Sequence, residues 1–360
     1  DDPADDSAAG RRAQTDGEGP MTTADVNMTP TETTMTPPRA GTPAPVTRLF
    51  GWGMLMMLAA FMINNVLNVS FGLPGARAVL AGGEGSGLAW IQALLYVVAL
   101  GLTAAIVFGR PESGLRWESK RISDFNAYII RACFWSVLMV GIADAAIAFM
   151  RVENFLPIFF GEDMAKDFGR ARFVGPYVHI PLIIVGFLLA LVTRTLGFTW
   201  LALMIVAAEL LIVISRFVFS YEQALMGDLV RYWYAALFLF ASAYTLLEDG
   251  HVRVDVLYAS FDSPRKGFVN AIGSILLGMT TAWVIIWIGF NGKTAIINSP
   301  VANFEVTQTG GTGMFIKYQM AMFLGIFAIT MLIQFVSYLF EAVADMRGEP
   351  GKREIAPIAH

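Results

Sequence analysis

Apolar residues gather along this chain in long blocks separated by short polar stretches, the pattern of membrane-crossing helices. Crossing about 30 Å of hydrocarbon takes about 20 apolar residues at a rise of 1.5 Å per residue. Eight blocks qualify: 49–71, 88–109, 125–149, 174–193, 196–218, 229–248, 267–290 and 316–341. An even number puts both termini on one side of the bilayer. Residues 220–230, with Glu222, Gln223 and Asp228, read as an interfacial helix leading into the sixth block. Asp262-Ser263-Pro264 places a helix cap before a proline, so the seventh helix is expected to start near Pro264. The eighth continues beyond its apolar block through Tyr338, Glu341 and Asp345, which suits a helix that protrudes or packs on a partner. The expectation is an all-α polytopic integral membrane protein with about eight transmembrane helices plus interfacial helices.

Composition agrees: 56% of the 360 residues are hydrophobic and 15% charged, where a soluble domain carries about 25% charged residues. Of 29 acidic and 25 basic residues, 8 and 3 fall within residues 1–46, leaving 21 against 22. The net charge of −4 thus belongs to that segment and points to no nucleic-acid partner. Residues 1–46 are rich in Asp, Thr, Pro, Ala and Gly without hydrophobic period and read as a disordered tail. Arg110, Arg116, Lys120 and Arg121, then Arg253, Arg265 and Lys266, then Arg347, Lys352 and Arg353 mark one side as cytoplasmic, that of both termini. Against this, the opposite-side loop 151–173 also holds four basic residues, Arg151, Lys166, Arg170 and Arg172.

Candidate chemistry is sparse. No phosphate-binding Gly-x-x-x-x-Gly-Lys-Ser/Thr loop is present, the three histidines His179, His251 and His360 show no paired helical spacing, and Cys133 reads as a small buried hydrophobe. No cofactor or metal site is expected. Polar side chains inside apolar blocks remain as candidates: Arg131, Asp144 and Glu209. Arg131 and Asp144 lie thirteen positions apart on one helix, roughly 20 Å, too far to pair. For Glu209 a hydrogen bond inside the bundle is the favoured reading over an ion relay. Asn64 and Asn68 read as interhelical glue, Gly141 and Ala145 as a close-packing pair, and the tryptophans, Trp233 included, as interfacial belt residues.

The most specific spelling surrounds residues 229–258. Ser215 to Phe219 reads SRFVF, Asp228 to Tyr244 reads DLVRYWYAALFLFASAY, Glu248 to Tyr258 reads EDGHVRVDVLY, and Ser263 to Leu277 opens with SPRKG. Together these resemble the small membrane subunit of tripartite ATP-independent periplasmic (TRAP) transporters, the DctQ-like family, over about residues 199–347. The resemblance implies a non-enzymatic scaffold that anchors a large elevator-type membrane subunit. A periplasmic solute-binding protein delivers the substrate, usually an organic acid, and sodium drives its uptake across the bacterial inner membrane. It also implies that Arg216, Arg231, Glu248, Gly250, His251, Arg253 and Asp255 serve hinge structure and subunit or membrane-lipid contact, and it admits a homo-oligomer of the complex. The chain departs from the usual four-helix member by a further region of about four helices, 47–194, before the scaffold at 195–347 and a tail at 348–360. The alternative class is a membrane redox or other enzyme subunit using Glu209, Asp144 or His179.

Overall fold

The computed structural model describes residues 37–81, 86–195, 197–247, 256–307 and 311–352. Eight helices in it are long and apolar enough to span a membrane: α1 (Pro45–Phe71), α2 (Gly87–Gly109), α3 (Leu115–Val152), α4 (Ala171–Val192), α5 (Phe198–Val218), α6 (Ala224–Leu247), α7 (Ser263–Phe290) and α8 (Lys317–Met346). Among the described residues there is no β-strand, only an isolated bridge between Ala40 and Ser113.

The apolar blocks locate every span, and the differences lie at their ends. α3 starts at Leu115 instead of 125 because the charged turns carrying Arg116 and Glu118 stay helical while their charges pair within the protein. The whole helix, 38 residues, measures roughly 57 Å. Residues 224–230 are the first turns of α6, so the interfacial helix expected there is part of the span. α7 begins at Ser263 with Pro264 in its first turn, as the spelling predicts; Asp262 makes no side-chain cap and lies 3.5 Å from Arg265 instead. Within the tail expected to reach residue 46, residues 37–46 are described. Gly41 N–H donates to Glu112 O at 2.8 Å, Gly114 N–H donates to Arg39 O at 2.9 Å, and α1 opens at Pro45.

Contacts between connecting segments sort them into two ends, as eight alternating spans require. At one end Arg77 donates to Asn291 at 3.0 Å, Arg151 donates to the carbonyls of Gly311 and Gly313, and Tyr221 donates to Glu153. At the other end Arg116 donates to Glu349 O at 3.2 Å, Thr42 to the Glu349 carboxylate at 3.0 Å, and Lys352 to Ser263 at 3.4 Å. In the loop 151–173 Arg151 is held as above, while Lys166 lies 3.6 Å from Asp163 and Arg170 3.5 Å from Asp167 as exposed pairs, which leaves its four basic residues on the opposite end.

Half of the apolar window of α3 and of α8 is buried, against 11% in α5, which makes α3 and α8 the central pair. On α3 the buried positions Arg116, Ser119, Ser123, Asn126, Ile130, Cys133, Val137, Val140, Asp144 and Ala148 recur at intervals of three and four, one continuous face. Its first half is polar and meets polar positions of α8. Ser119 and Ser123 bond Ser337 at 2.8 and 2.7 Å, Asn126 donates to Thr330 O at 2.9 Å and to Gln334 at 3.2 Å, and Arg116 reaches Glu341 at 2.5 Å and Asp345 at 2.7 Å. The amphipathic end of α8 thus packs on this same chain. In hydrocarbon such groups have no water to turn to, so each interhelical bond is retained for about 1 kcal/mol or less.

Hydrophobic packing likewise joins the two halves of the chain. Phe340 of α8 clusters with Leu58, Leu115 and Ile122, and the rings of Phe134 and Phe240 meet edge-on at 5.7 Å. Trp233, expected in the interfacial belt, is buried. Its ring lies on Gly141, where a methyl group would fall 2.8 Å from Cε2, and Nε1 donates to Val137 O at 3.2 Å. Asn64 accepts from Gln92 of α2 at 2.9 Å, and Asn65 exchanges amide bonds with Asn298 at 3.0 and 2.8 Å. At the other face, Arg48 of α1 pairs with Glu118 at 2.7 Å and donates to Val107 O and Arg110 O, so one buried guanidinium caps α2 and ties it to α3.

α4 lies closest to α3 at Gly186, where a Cβ would sit 2.7 Å from Ser136 N and 2.9 Å from its Cα. Backbone atoms cannot give way as a side-chain tip can. Gly186→Ala is therefore expected to cost about 1–3 kcal/mol and lower the Tm of the detergent-solubilised chain. Gly101→Ala on α2, where nothing lies within 4 Å, should leave Tm unchanged or slightly raised.

Candidate functional site

A second group of buried polar residues, beyond the α3–α8 seam, lies where α3, α4 and α6 meet the segment 311–316 leading into α8. Four residues of that segment are held by side chains from two different helices. Asp144 Oδ2 of α3 accepts from Phe315 N–H at 2.6 Å, and Asp228 Oδ2 of α6 accepts from Met314 N–H at 3.1 Å. Arg151, two turns beyond Asp144 on α3, donates to Gly313 O and, at 3.3 Å, to Gly311 O, with its guanidinium 4.1 Å over the Phe315 ring.

α4 adds a histidine through an irregular turn. Gly175 to His179 are π-helical, with Pro176 at the start and Pro181 just after, two residues that cannot donate the regular helical hydrogen bond. The widened turn brings His179, fully buried, to 3.2 Å from Asp144 (Nε2 to Oδ1). Its Nδ1 lies 2.7 Å from the Tyr318 hydroxyl and 2.9 Å from Gln319 Nε2. Tyr232 of α6 donates to Gln319 Oε1, so the amide nitrogen of Gln319 faces the imidazole. Nδ1 thus faces a hydroxyl and an amide nitrogen, and Nε2 faces Asp144. The approach is off-line, leaving Asp144 Oδ1 and His179 Nε2 without a hydrogen bond. His179, Asp144, Tyr232, Tyr318 and Gln319 are 0–7% exposed. The cluster is a lock among four helices, closed to both faces of the bundle.

The residues singled out from sequence scatter around this lock. Asp144 is its centre. Arg131 donates to Ala190 O at 3.0 Å, one of the last carbonyls of α4, and so holds a helix end rather than a charge partner. Glu209 does not bond inside the bundle as expected; it is exposed on α5, of which only Leu201 is buried. Arg216 closes α5, 3.4 Å from Glu222, and Arg231 lies 3.7 Å from Asp228 with its side chain 65% exposed. Glu248, Gly250, His251, Arg253 and Asp255 fall outside the described residues. Beyond the lock, Tyr221 donates to Glu153, and burial together with that carboxylate pushes the phenol up to about 12. Sequence reasoning missed Arg151, Asp228, Tyr232, Tyr318 and Gln319 as one group. Their only signal was polarity at the ends of apolar blocks that the fold brings to one place.

Removing the carboxylate strands Phe315 N–H in a dry interior, a loss of about 1–3 kcal/mol. Asp144→Ala is expected to lower Tm and expose residues 311–316 to limited proteolysis. Glu209→Ala, altering an exposed side chain, should change neither.

Residues 201–345 match the family model of tripartite ATP-independent periplasmic transporters, DctQ component. No curated protein and no solved structure matches the chain. The matched stretch covers α5 to α8 almost end to end and leaves α1 to α4 outside it. Together with the eight apolar helices, this makes the chain a multi-pass membrane protein whose α5–α8 region is similar to the DctQ component of TRAP transporters.

Proposed function

We propose that the chain is the scaffold of a sodium-driven TRAP transporter for organic acids, anchoring a large elevator-type membrane subunit that a periplasmic solute-binding protein supplies. Its part is binding, with no enzymatic step. The observation that carries the reading is the coincidence of the DctQ match with α5, a helix whose long side chains, among them Leu203, Val206, Leu210, Leu211, Val213 and Phe217, are exposed around the exposed Glu209. An ionised carboxylate at the centre of a span facing lipid costs about 2.5–3.5 kcal/mol, and a polar group on the large subunit offsets that cost. α1 to α4 then brace the scaffold from behind, through the polar seam of α3 with α8.

The end bearing Arg110, Arg116, Lys120, Arg121, Arg265, Lys266, Arg347 and Lys352 is the cytoplasmic end in this reading, and with it both termini, in the bacterial inner membrane. By sequence, the stretch 248–255 connects α6 to α7, a connection that the flanking Arg265 and Lys266 assign to the same side in this reading. Arg253 and Asp255 are assigned to subunit or lipid contact there on the strength of the family spelling.

Co-expression with the large subunit tests the assignment. Glu209→Lys, and the pair Arg253→Ala with Asp255→Ala, are expected to reduce co-purification about tenfold and transport in parallel, with the isolated chain keeping its Tm. Unchanged complex yield and transport in both variants would remove the contact role.

A further inference from the structure

A cleft of about 1000 Å³ opens at the putting-together of residues 39–40 with the α2–α3 turn, lined by Arg39, Ala40, Arg110, Pro111, Glu112, Ser113, Trp117 and Arg121. Five arginines lie in or beside this cleft, and they fall into two groups. Arg48 and Arg116 are buried and neutralised, by Glu118 and by Glu341 with Asp345. Arg39, Arg110 and Arg121 are exposed, line the cleft and form no ion pair with a described carboxylate. The Arg121 guanidinium lies flat over Trp117 at 4.8 Å, which orients it.

Ser113 supplies an independent sign of a ligand. It lines the cleft, is 7% exposed, and its hydroxyl has no hydrogen-bond partner. A buried hydroxyl left unmade is costly, and this one lines the same cleft as Arg39, Arg110 and Arg121, just before a 38-residue helix whose cap, Gly114, brings no side-chain bond. All of these groups donate, and they suit phosphate oxygens. Glu112 is the exception in the lining: it accepts, and it disfavours a bare anion while matching a headgroup hydroxyl.

We propose that this cleft binds the headgroup of an anionic glycerophospholipid of the phosphatidylglycerol type. The phosphodiester takes Arg39, Arg110, Arg121 and the Ser113 hydroxyl, and the glycerol hydroxyls donate to Glu112. Position selects a lipid over free phosphate. The cleft begins one residue past Gly109, where the apolar span α2 ends, and α2 itself exposes Val97, Leu100 and Phe108, a track for acyl chains. The inference does not depend on the large subunit.

Native mass spectrometry of the full chain released from nanodiscs reads it directly, with phosphatidylglycerol, phosphatidylethanolamine and inorganic phosphate as probes. Each guanidinium near an anionic lipid is worth about fivefold in affinity. Arg110→Gln with Arg121→Gln should therefore cut phosphatidylglycerol retention about 25-fold, Arg39→Gln, which lies outside the helices, about fivefold, and Ser113→Ala by a smaller factor. Lys120→Gln, outside the cleft and paired with Asp124 at 3.5 Å, should retain lipid as the parent chain does. Undiminished retention in the Arg110/Arg121 variant overturns the site. Equal retention of phosphatidylethanolamine overturns the anionic headgroup, and displacement of phosphatidylglycerol by equimolar inorganic phosphate overturns the lipid in favour of a free anion.

Discussion

Inside hydrocarbon a polar group must find its partner within the protein, and the seam between α3 and α8 is built on that constraint. From Arg116 through Ser119, Ser123 and Asn126 to Asp144, α3 presents a polar file whose matching groups lie mainly on α8 or on the segment entering it. Leucine-rich faces of two spans would associate no better with each other than with lipid; interlocking hydrogen bonds give this pair a defined register. The other spans arrange themselves around it. α4 and α6 reach it through His179 and Tyr232, and α1 is tied to α3 by the Arg48–Glu118 pair.

The same seam explains how a family-type four-helix unit and four further helices make one object. The DctQ match begins at Leu201, yet side chains that complete the core of the matched region come from before that point. Phe134 meets Phe240, Gly141 receives Trp233, and Asp144 holds Phe315 N–H. The additional helices thus cover one flank of the α5–α8 unit and leave α5 bare, which concentrates the remaining exposed apolar surface of that unit where Glu209 sits.

The number and placement of the spans were legible because hydrocarbon thickness sets a length that composition cannot disguise. The ends were not. Residues 115–124 read as a charged loop because hydropathy cannot register that Arg116 and Glu118 find opposite charges on α8 and α1. Asp144 stood out alone in an apolar run, and His179 as an isolated histidine; only the tertiary fold supplies their proximity, through a π-helical turn that two prolines and a glycine permit. Glu209 went the other way. Its surroundings on α5 suggested an internal bond, but with neighbours at three- and four-residue spacing also exposed, the face carrying it turns outward. The hinge spelling carried the resemblance without any geometry, since it rests on the order of residues and not on their packing.

The lock around residues 311–316 bears on the order in which the chain becomes itself. Synthesis delivers α3, α4 and α6 to the membrane well before α8, and chains form structure from the N-terminal side first. Until the last span arrives, Arg116, Ser119, Asn126, Asp144 and His179 confront lipid or one another. α8 is thus the keystone of biogenesis: a nascent chain halted short of Lys317 carries its own exposed mark of incompleteness, a file of unpaired polar groups in the bilayer that distinguishes it from the finished protein.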